Sequence, residues 1–283
     1  MEKLNNIKAI FIDIDGTLTN SKKEVTTVTK EAIKRIVGMG IKVIICSGRG
    51  NKYVQNKAKE ANTSQYIITS NGAQIYDFNE RKALYQKGIE KDTLKNIVQF
   101  INDKKIGCII NCPTIRYSNK YLKRMMDPEE LKFNNFDEIN DKIFLQLVVE
   151  TDNYNSMKNI MDYIDKYKDI HVLNISRNYI KGITTDNKYY IDVNNIDVNK
   201  GNAIAEFLKI FNISKDDALC FGDHINDTDM FYTCKYKIAM GNANEELKRI
   251  SSYVTLKNDE DGVAYFLNNY IIWVNWNYIK NML

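Results

Sequence analysis

The chain of 283 residues suffices for one or two domains, and 44% hydrophobic with 27% charged residues is an ordinary globular composition. The formal net charge is only +4, without the Lys/Arg clusters of a nucleic-acid-binding face. No apolar run reaches the ~18 residues of a membrane span, and no basic-then-apolar leader opens the chain, so neither nucleic acid nor membrane is an expected partner. The five cysteines (Cys46, Cys108, Cys112, Cys220, Cys234) and two histidines form neither a disulfide framework nor a zinc pattern. Free thiols fit a cytoplasmic protein.

In chain order, "AIFI" (Ala9–Ile12) reads as a strand buried on both faces, ending at Asp13 and Asp15 and turning on Gly16. Helical spacing follows from Thr26 to Gly38, through Val28, Ile33, Ile36 and Val37. "IKVIIC" is a second buried strand that exits at "SGRG"; a helix then runs to Glu60, and "YIITSNGA" gives a third strand and a turn. These are βαβ units, and they predict a doubly wound α/β core with a parallel sheet.

The pattern changes over 83–191, where an amphipathic helix (Lys91 to Asp103) precedes the strand "IGCIIN" and the polar stretch "RYSNKYLKRMMDPEE". The strand "FLQLVVE", a helix from Tyr154 to Tyr167 and the short strands "HVLNIS" and "YYIDV" complete an inserted α+β domain with an antiparallel sheet. The core resumes over 192–283, so that 1–82 and 192–283 form one split domain. Its elements are a helix from Lys200 to Phe211, the strand "ALCFGD", a helix from Asp227, "YKIAMGNA", a strand at "YVTL" and a helix from Gly262. The aromatic tail with Trp273, Trp276 and Tyr278 is expected to pack on the core or on a second subunit, which makes a homodimer an open expectation.

Parallel strands end on one edge of their sheet, where ligands of open α/β folds bind. Asp13, Asp15, Asp223 and Asp227 all follow such strands. Carboxylates in one crevice repel unless a cation neutralises them, and an all-oxygen set suits Mg²⁺. Ser47 and the backbone of "SGRG" offer a phosphate cradle, and Lys200 opens a helix whose N-terminus favours anions. Together these residue types make a phosphoryl-transfer site, with one aspartate as nucleophile and another as general acid and base.

"DIDGT", "ICSGR", "NKG" and "GDHIND", in this order, resemble the four motifs of the haloacid dehalogenase-like phosphatase superfamily, and within it the Cof-type hydrolases with the larger α+β cap. The resemblance runs to about Tyr270. It implies a HAD-like, Rossmannoid core, with Asp13 as nucleophile and Asp15 as general acid/base whose main-chain carbonyl also reaches Mg²⁺. By the same resemblance Ser47, Gly48, Lys200 and Asn226 bind phosphate, Asp223 is a metal ligand, and Asp227 with Asn226 supports the metal and the lysine. Ser47 stands where the family usually carries Thr. Asn71, in "SNGA", would touch phosphate or substrate, although Asn-Gly is also an everyday turn. Ser47 follows Asp13 by 34 residues and Lys200 follows Ser47 by 153, which places the cap in the second interval. Such a cap would exclude water and supply substrate contacts.

Other polar residues have plainer readings. Arg49 reaches the ligand or fixes its own loop by a salt bridge. Asp229 is expected to be solvated or capping, His224 to lie at the surface or in support, and Asp192 and Asp197 to be hinge or surface groups. Asn111, Arg116, Tyr117, Arg124, Arg177 and Lys181 are read as surface positions in preference to ligands, and Cys46 and Cys220 as small apolar residues. The expected activity is Mg²⁺-dependent hydrolysis of a small phosphorylated metabolite such as a sugar phosphate or pyridoxal phosphate. A sugar phosphomutase and a non-catalytic phospho-ligand module are the alternatives.

Overall fold

The computed structural model describes residues 4, 6–122, 130–177 and 188–271, with the backbone alone for 174–177. Arg124, Lys181, the side chain of Arg177 and the aromatic tail (Trp273, Trp276, Tyr278) lie outside what is described. The chain forms two compact units: residues 1–48, 53–84 and 199–283, and residues 49–52 and 85–198.

The first unit holds an eight-stranded sheet. In chain order its elements are β1 (Ala9–Ile12), α1 (Thr27–Gly38), β2 (Lys42–Cys46), α2 (Asn51–Glu60), β3 (Tyr66–Thr69), β4 (Gln74–Asp77) and β5 (Lys82–Gln86). The second unit contributes α3 (Lys91–Asp103), β6 (Gly107–Asn111), β7 (Arg116–Asn119), β8 (Leu131–Phe133), β9 (Gln146–Thr151), α4 (Tyr154–Ile164), β10 (Ile170–Arg177) and β11 (Tyr189–Asn195). The first unit then closes with α5 (Lys200–Ile210), β12 (Ala218–Gly222), α6 (Thr228–Thr233), β13 (Tyr236–Ala239), α7 (Glu245–Ile250), β14 (Tyr253–Val254) and α8 (Gly262–Tyr270).

The order of the first sheet is β14-β13-β12-β1-β2-β3-β4-β5. It is parallel from β14 through β3 and turns antiparallel at the β3–β4 hairpin. β1 lies at its centre with all four residues fully buried, as expected of a strand covered on both faces. The two coverings can be read from side-chain alternation. Phe11 meets Phe207 of α5 edge-on at 5.5 Å, whereas Phe221, which pairs with Ile12, meets Phe266 of α8 at 5.5 Å from the opposite face. The register Ile12↔Ile45 and Ile12↔Phe221 brings Asp13, Ser47 and Asp223 out at one edge within a residue of each other's level.

The second unit is built on the sheet β10-β11-β9-β6-β7-β8, antiparallel except for a parallel β7–β8 pair. Cys108, Ile110, Leu147, Val149, Ile191 and Val193 share one face by register, and α3 and α4 pack there through Leu94, Ile97, Val98, Ile101 and Ile160. Phe100 and Tyr163 stack at 3.9 Å between the two helices.

Several expectations change here. The polar stretch after "IGCIIN" opens with β7, β8 follows directly after it, and the parallel β7–β8 pairing makes the sheet mixed. The boundary drawn at 191/192 falls inside β11; the second unit keeps that strand and runs to Val198. Tyr117 and Asn111 are not surface residues: Tyr117 is 7% exposed within the apolar core of this unit, and Asn111 is 2% exposed and donates to Gln146 Oε1 at 2.6 Å. Arg116 is half-buried.

Phe207 is fully buried against Phe11, Tyr66 and Phe211. Phe207→Ala is therefore expected to lower stability by about 3–5 kcal/mol, measured by urea denaturation. A loss below about 1 kcal/mol would mean that α5 does not seal this face of the sheet.

Candidate active site

Asp13 leaves the carboxyl end of β1, and its N–H still donates to Phe221 O at 3.2 Å, so the sheet sets its position. Lys200 is the first residue of α5, which starts here because the Asn199 side chain caps it by accepting from Asn202 N. Its side chain is 1% exposed, and Nζ lies 2.6 Å from Asp13 Oδ1 and 2.6 Å from Asp227 Oδ1. Asp227 is fully buried; its Oδ2 accepts from Asp223 N at 3.0 Å and His224 N at 3.1 Å. One aspartate thus holds the ammonium with one oxygen and shapes the Asp223 loop with the other.

Asp223 accepts from Thr17 Oγ1 at 2.9 Å, a contact that ties the β12 loop to the turn after β1. The sequence offered no role for Thr17; its place beside Gly16 in "DGT" is the signal that could have drawn attention to it. The close approach of these loops explains two glycines. A Cβ on Gly16 would stand 2.3 Å from Asp223 Oδ2, and one on Gly222 2.7 Å from Asp227 Cβ.

Ser47 follows β2, is 2% exposed, and is pinned by its N–H to Ile68 O at 3.0 Å and by its carbonyl, which accepts from Asn71 N at 3.1 Å. Ser70, Asn71 and Gly72 have φ of 52°, 60° and 105°, three left-handed residues in succession. This turn presses Asn71 on the loop after β2: a Cβ on Gly48 would fall 2.5 Å from Asn71 Oδ1. Asn71 is thus packed on the Ser47–Gly48 loop and not simply turning the chain.

Asp13, Asp223 and Asp227 each place a carboxylate oxygen within 4.8 Å of the others. Burial pushes the Asp13 carboxyl up to about 7 against the pull of Lys200, with Asp227 and Asp15 adding to the rise. Asp223 is pushed up to about 8 by burial and by the charges of Asp227 and Asp13. For Lys200, burial opposes the charge, but Asp13 and Asp227 outweigh it and hold the amine protonated above its ordinary range. Three carboxylates therefore face a single ammonium, and the excess negative charge with all-oxygen donors fits a hard divalent cation such as Mg²⁺.

The other expected residues are placed as follows. Asp15 is half-buried beyond the end of β1, and its carboxylate is not in the gathered set; the resemblance assigned it to the metal through its main-chain carbonyl. Asn226 is half-buried in a 3₁₀ turn, Ile225–Asp227. Arg49 is exposed and belongs to the second unit. Asp229 is half-buried in the first turn of α6, whose backbone so crowds α5 that a Cβ on Gly201 would sit 2.4 Å from Asp229 O. Asp192 lies within β11, Asp197 pairs with Lys87 at 2.9 Å, and Cys46 and Cys220 are fully buried.

Carboxyls raised by burial bind more protons folded than unfolded, so the stability they contribute is present at low pH and lost as pH rises from about 4 to about 8. Without divalent cations, the melting temperature is expected to fall across that window. Mg²⁺ should restore it, by about 5–10 °C at a hundredfold excess over Kd at pH 8 and by little at pH 5. A Mg²⁺ increment independent of pH would place the ion away from these carboxylates.

Comparison with known proteins agrees with the fold. A family model for haloacid dehalogenase-like hydrolases matches residues 10–267. Among curated relatives, the 5-amino-6-(5-phospho-D-ribitylamino)uracil phosphatase YwtE of Bacillus subtilis is 29% identical, covering 93% of this chain and 97% of its own. Among solved structures, a haloacid dehalogenase-like hydrolase from Bacteroides thetaiotaomicron superposes with a TM-score of 0.79 at 22% identity, covering 93% of this chain and 98% of its own. The HAD subclass IIB sugar phosphatase BT4131 gives 0.74 at 22% identity, over 94% and 99%. With the family model spanning nearly the whole described chain, this protein belongs to the haloacid dehalogenase-like hydrolases.

Proposed function

We propose that the protein is a Mg²⁺-dependent phosphatase that hydrolyses monoesters of small phosphorylated metabolites through an aspartyl-phosphate on Asp13. The observation that carries this reading is the buried Lys200 ammonium held 2.6 Å from both Asp13 and Asp227. It fixes one Asp13 oxygen and supplies positive charge where a phosphate dianion must approach a carboxylate.

Asp13 attacks phosphorus with a carboxylate oxygen, and the bond from phosphorus to the ester oxygen breaks. The electron pair leaves with that oxygen, which takes a proton from the Asp15 carboxyl. Asp15, now a carboxylate, removes a proton from water as the water oxygen attacks phosphorus; the Asp13–phosphorus bond breaks, and inorganic phosphate and free Asp13 result. Ser47, Gly48 and Asn226 bind the phosphate oxygens, and Asn71 supports the Ser47–Gly48 loop against which it packs. Asp13 and Asp223, with Asp227 and the main-chain carbonyl of Asp15, would hold Mg²⁺, which when bound neutralises these carboxylates and the phosphate oxygens.

Substrate selection is assigned to the second unit. The metabolite class draws on relatives: YwtE is named for a phosphorylated ribityl compound and BT4131 for sugar phosphates, both phosphate monoesters of polyhydroxy chains.

The test is phosphate release with Mg²⁺ from sugar phosphates, pyridoxal phosphate and 5-amino-6-(5-phospho-D-ribitylamino)uracil, with Asp13→Asn as the control. Turnover of one class is expected, and Asp13→Asn should lower it at least about 10⁴-fold. Full activity in the variant would refute the covalent route. Phosphoryl return to a sugar, dependent on a bisphosphate activator and without phosphate release, would make the protein a phosphomutase. Tight ligand binding without any turnover would leave a phospho-ligand module.

A further inference from the structure

The turn that carries Asp15 has an unusual difficulty. Its ends are secured by the chain itself: Leu18 N donates to Asp13 O at 3.1 Å, and Thr19 donates to Ile14 O from N at 3.0 Å and from Oγ1 at 2.9 Å. Its middle is Gly16, at φ +82°, where the space a Cβ needs is taken by the Asp223 carboxylate. The site therefore demands the residue with the greatest backbone freedom directly after Asp15. The peptide after Gly16 carries the direction of Asp15 with it; Thr17 secures its N–H side, with N donating to Ile14 O at 3.4 Å and Oγ1 to Asp223 Oδ1 at 2.9 Å, and the Gly16 carbonyl takes a further restraint.

That restraint comes from a loop outside all four motifs. Asn242, which follows β13, donates from Nδ2 to Gly16 O at 2.8 Å and accepts at Oδ1 from Asn258 N at 2.9 Å. One partner is a main-chain acceptor and the other a main-chain donor, so the amide has a single orientation that satisfies both. Asn258 adds a second strut, donating from Nδ2 to Thr19 O at 2.9 Å. The base of the Asn242 loop is secured by Gly241 N to Leu256 O at 3.0 Å and Ala243 N to Met240 O at 2.9 Å.

We propose that Asn242 is a positioning residue for Asp15: it clamps the Gly16 carbonyl, restores to the glycine the restriction its missing side chain cannot give, and holds Asp15 in line with the leaving oxygen. The inference rests on the reading of Asp15 as general acid, and the test separates the two. A general acid matters for an alkyl leaving group and little for p-nitrophenolate, which departs without a proton. kcat/KM reports only the steps through departure of the leaving group, so slow hydrolysis of the aspartyl-phosphate does not mask the comparison.

Asn242→Ala and Asn242→Asp, the second nearly isosteric but lacking the donor, are measured with Mg²⁺ on p-nitrophenyl phosphate and on an alkyl phosphate that the unaltered protein turns over. Asp15→Asn is measured alongside. The expected result is a loss of about tenfold in kcat/KM on the alkyl ester and less than about threefold on the aryl ester for both Asn242 variants, the scale of one hydrogen bond. The melting temperature should stay within a few degrees, because the side chain is exposed. Equal losses on the two esters, or a loss that appears only as raised KM, overturn the inference while Asp15→Asn remains selective for the alkyl ester. If Asp15→Asn itself falls equally on both, the general-acid reading fails and this inference falls with it.

Discussion

The structure of the site depends on one buried cation. Lys200 has 1% of its side chain exposed, and an ammonium so placed is tolerated only because Asp13 and Asp227 each approach it to 2.6 Å. Removing one partner of such a buried set typically costs about 3–5 kcal/mol, since the remaining charge cannot regain water. The same arrangement leaves a negative excess, because Asp223 stands with the two aspartates and one lysine cannot neutralise three carboxylates. Structural need and chemical capacity therefore coincide. The excess of carboxylate oxygens over the single ammonium is the chemistry that suits a hard divalent cation.

Asp227 links this electrostatic centre to the backbone. With Oδ1 on Lys200 and Oδ2 on the amides of Asp223 and His224, it couples the start of α5 to the loop after β12. Thr17 extends the coupling to the turn after β1 through Asp223. Segments up to 206 residues apart are thus joined by short, directional contacts between groups that the sheet has already brought to one edge. Strand register does the coarse placement, to within a residue, and hydrogen bonds to carboxylates do the rest.

This division of labour explains what was legible in the sequence. Asp13, Lys200, Asp223 and Asp227 follow or precede apolar runs that can only be buried strands or their partner helices, so their convergence followed from the edge rule for parallel sheets. Helix α3 matched its predicted range, Lys91 to Asp103, because its apolar spacing is strong. β7 and β8 were missed because "RYSN" and "LKF" are short and polar, and their pairing partners decide their state where pattern does not. The strand read at "YYIDV" runs on as β11 through Asn194 and Asn195, polar residues that look like an exit from a strand, yet Asn194 is held there by donating to Leu145 O at 2.9 Å. Asn111 and Tyr117 read as surface positions because a sequence does not show which polar side chains have a buried partner.

The braces around Asp15 were invisible for a different reason. Asn242 and Asn258 act through main-chain groups of Gly16 and Thr19, and a main-chain acceptor has no signature in the residue that carries it. Recognition of a catalytic sequence therefore favours residues whose side chains do chemistry and overlooks those that restrain the backbone beneath them. In this fold the two kinds are coupled through sterics. The carboxylate of Asp223 comes so close to the turn that position 16 must be glycine, and the freedom this introduces creates the need for restraint from the loop after β13. The requirement at Asn242 is thus a consequence of packing two acidic loops against each other, and it would arise wherever a charged strand end is approached this closely by its neighbour.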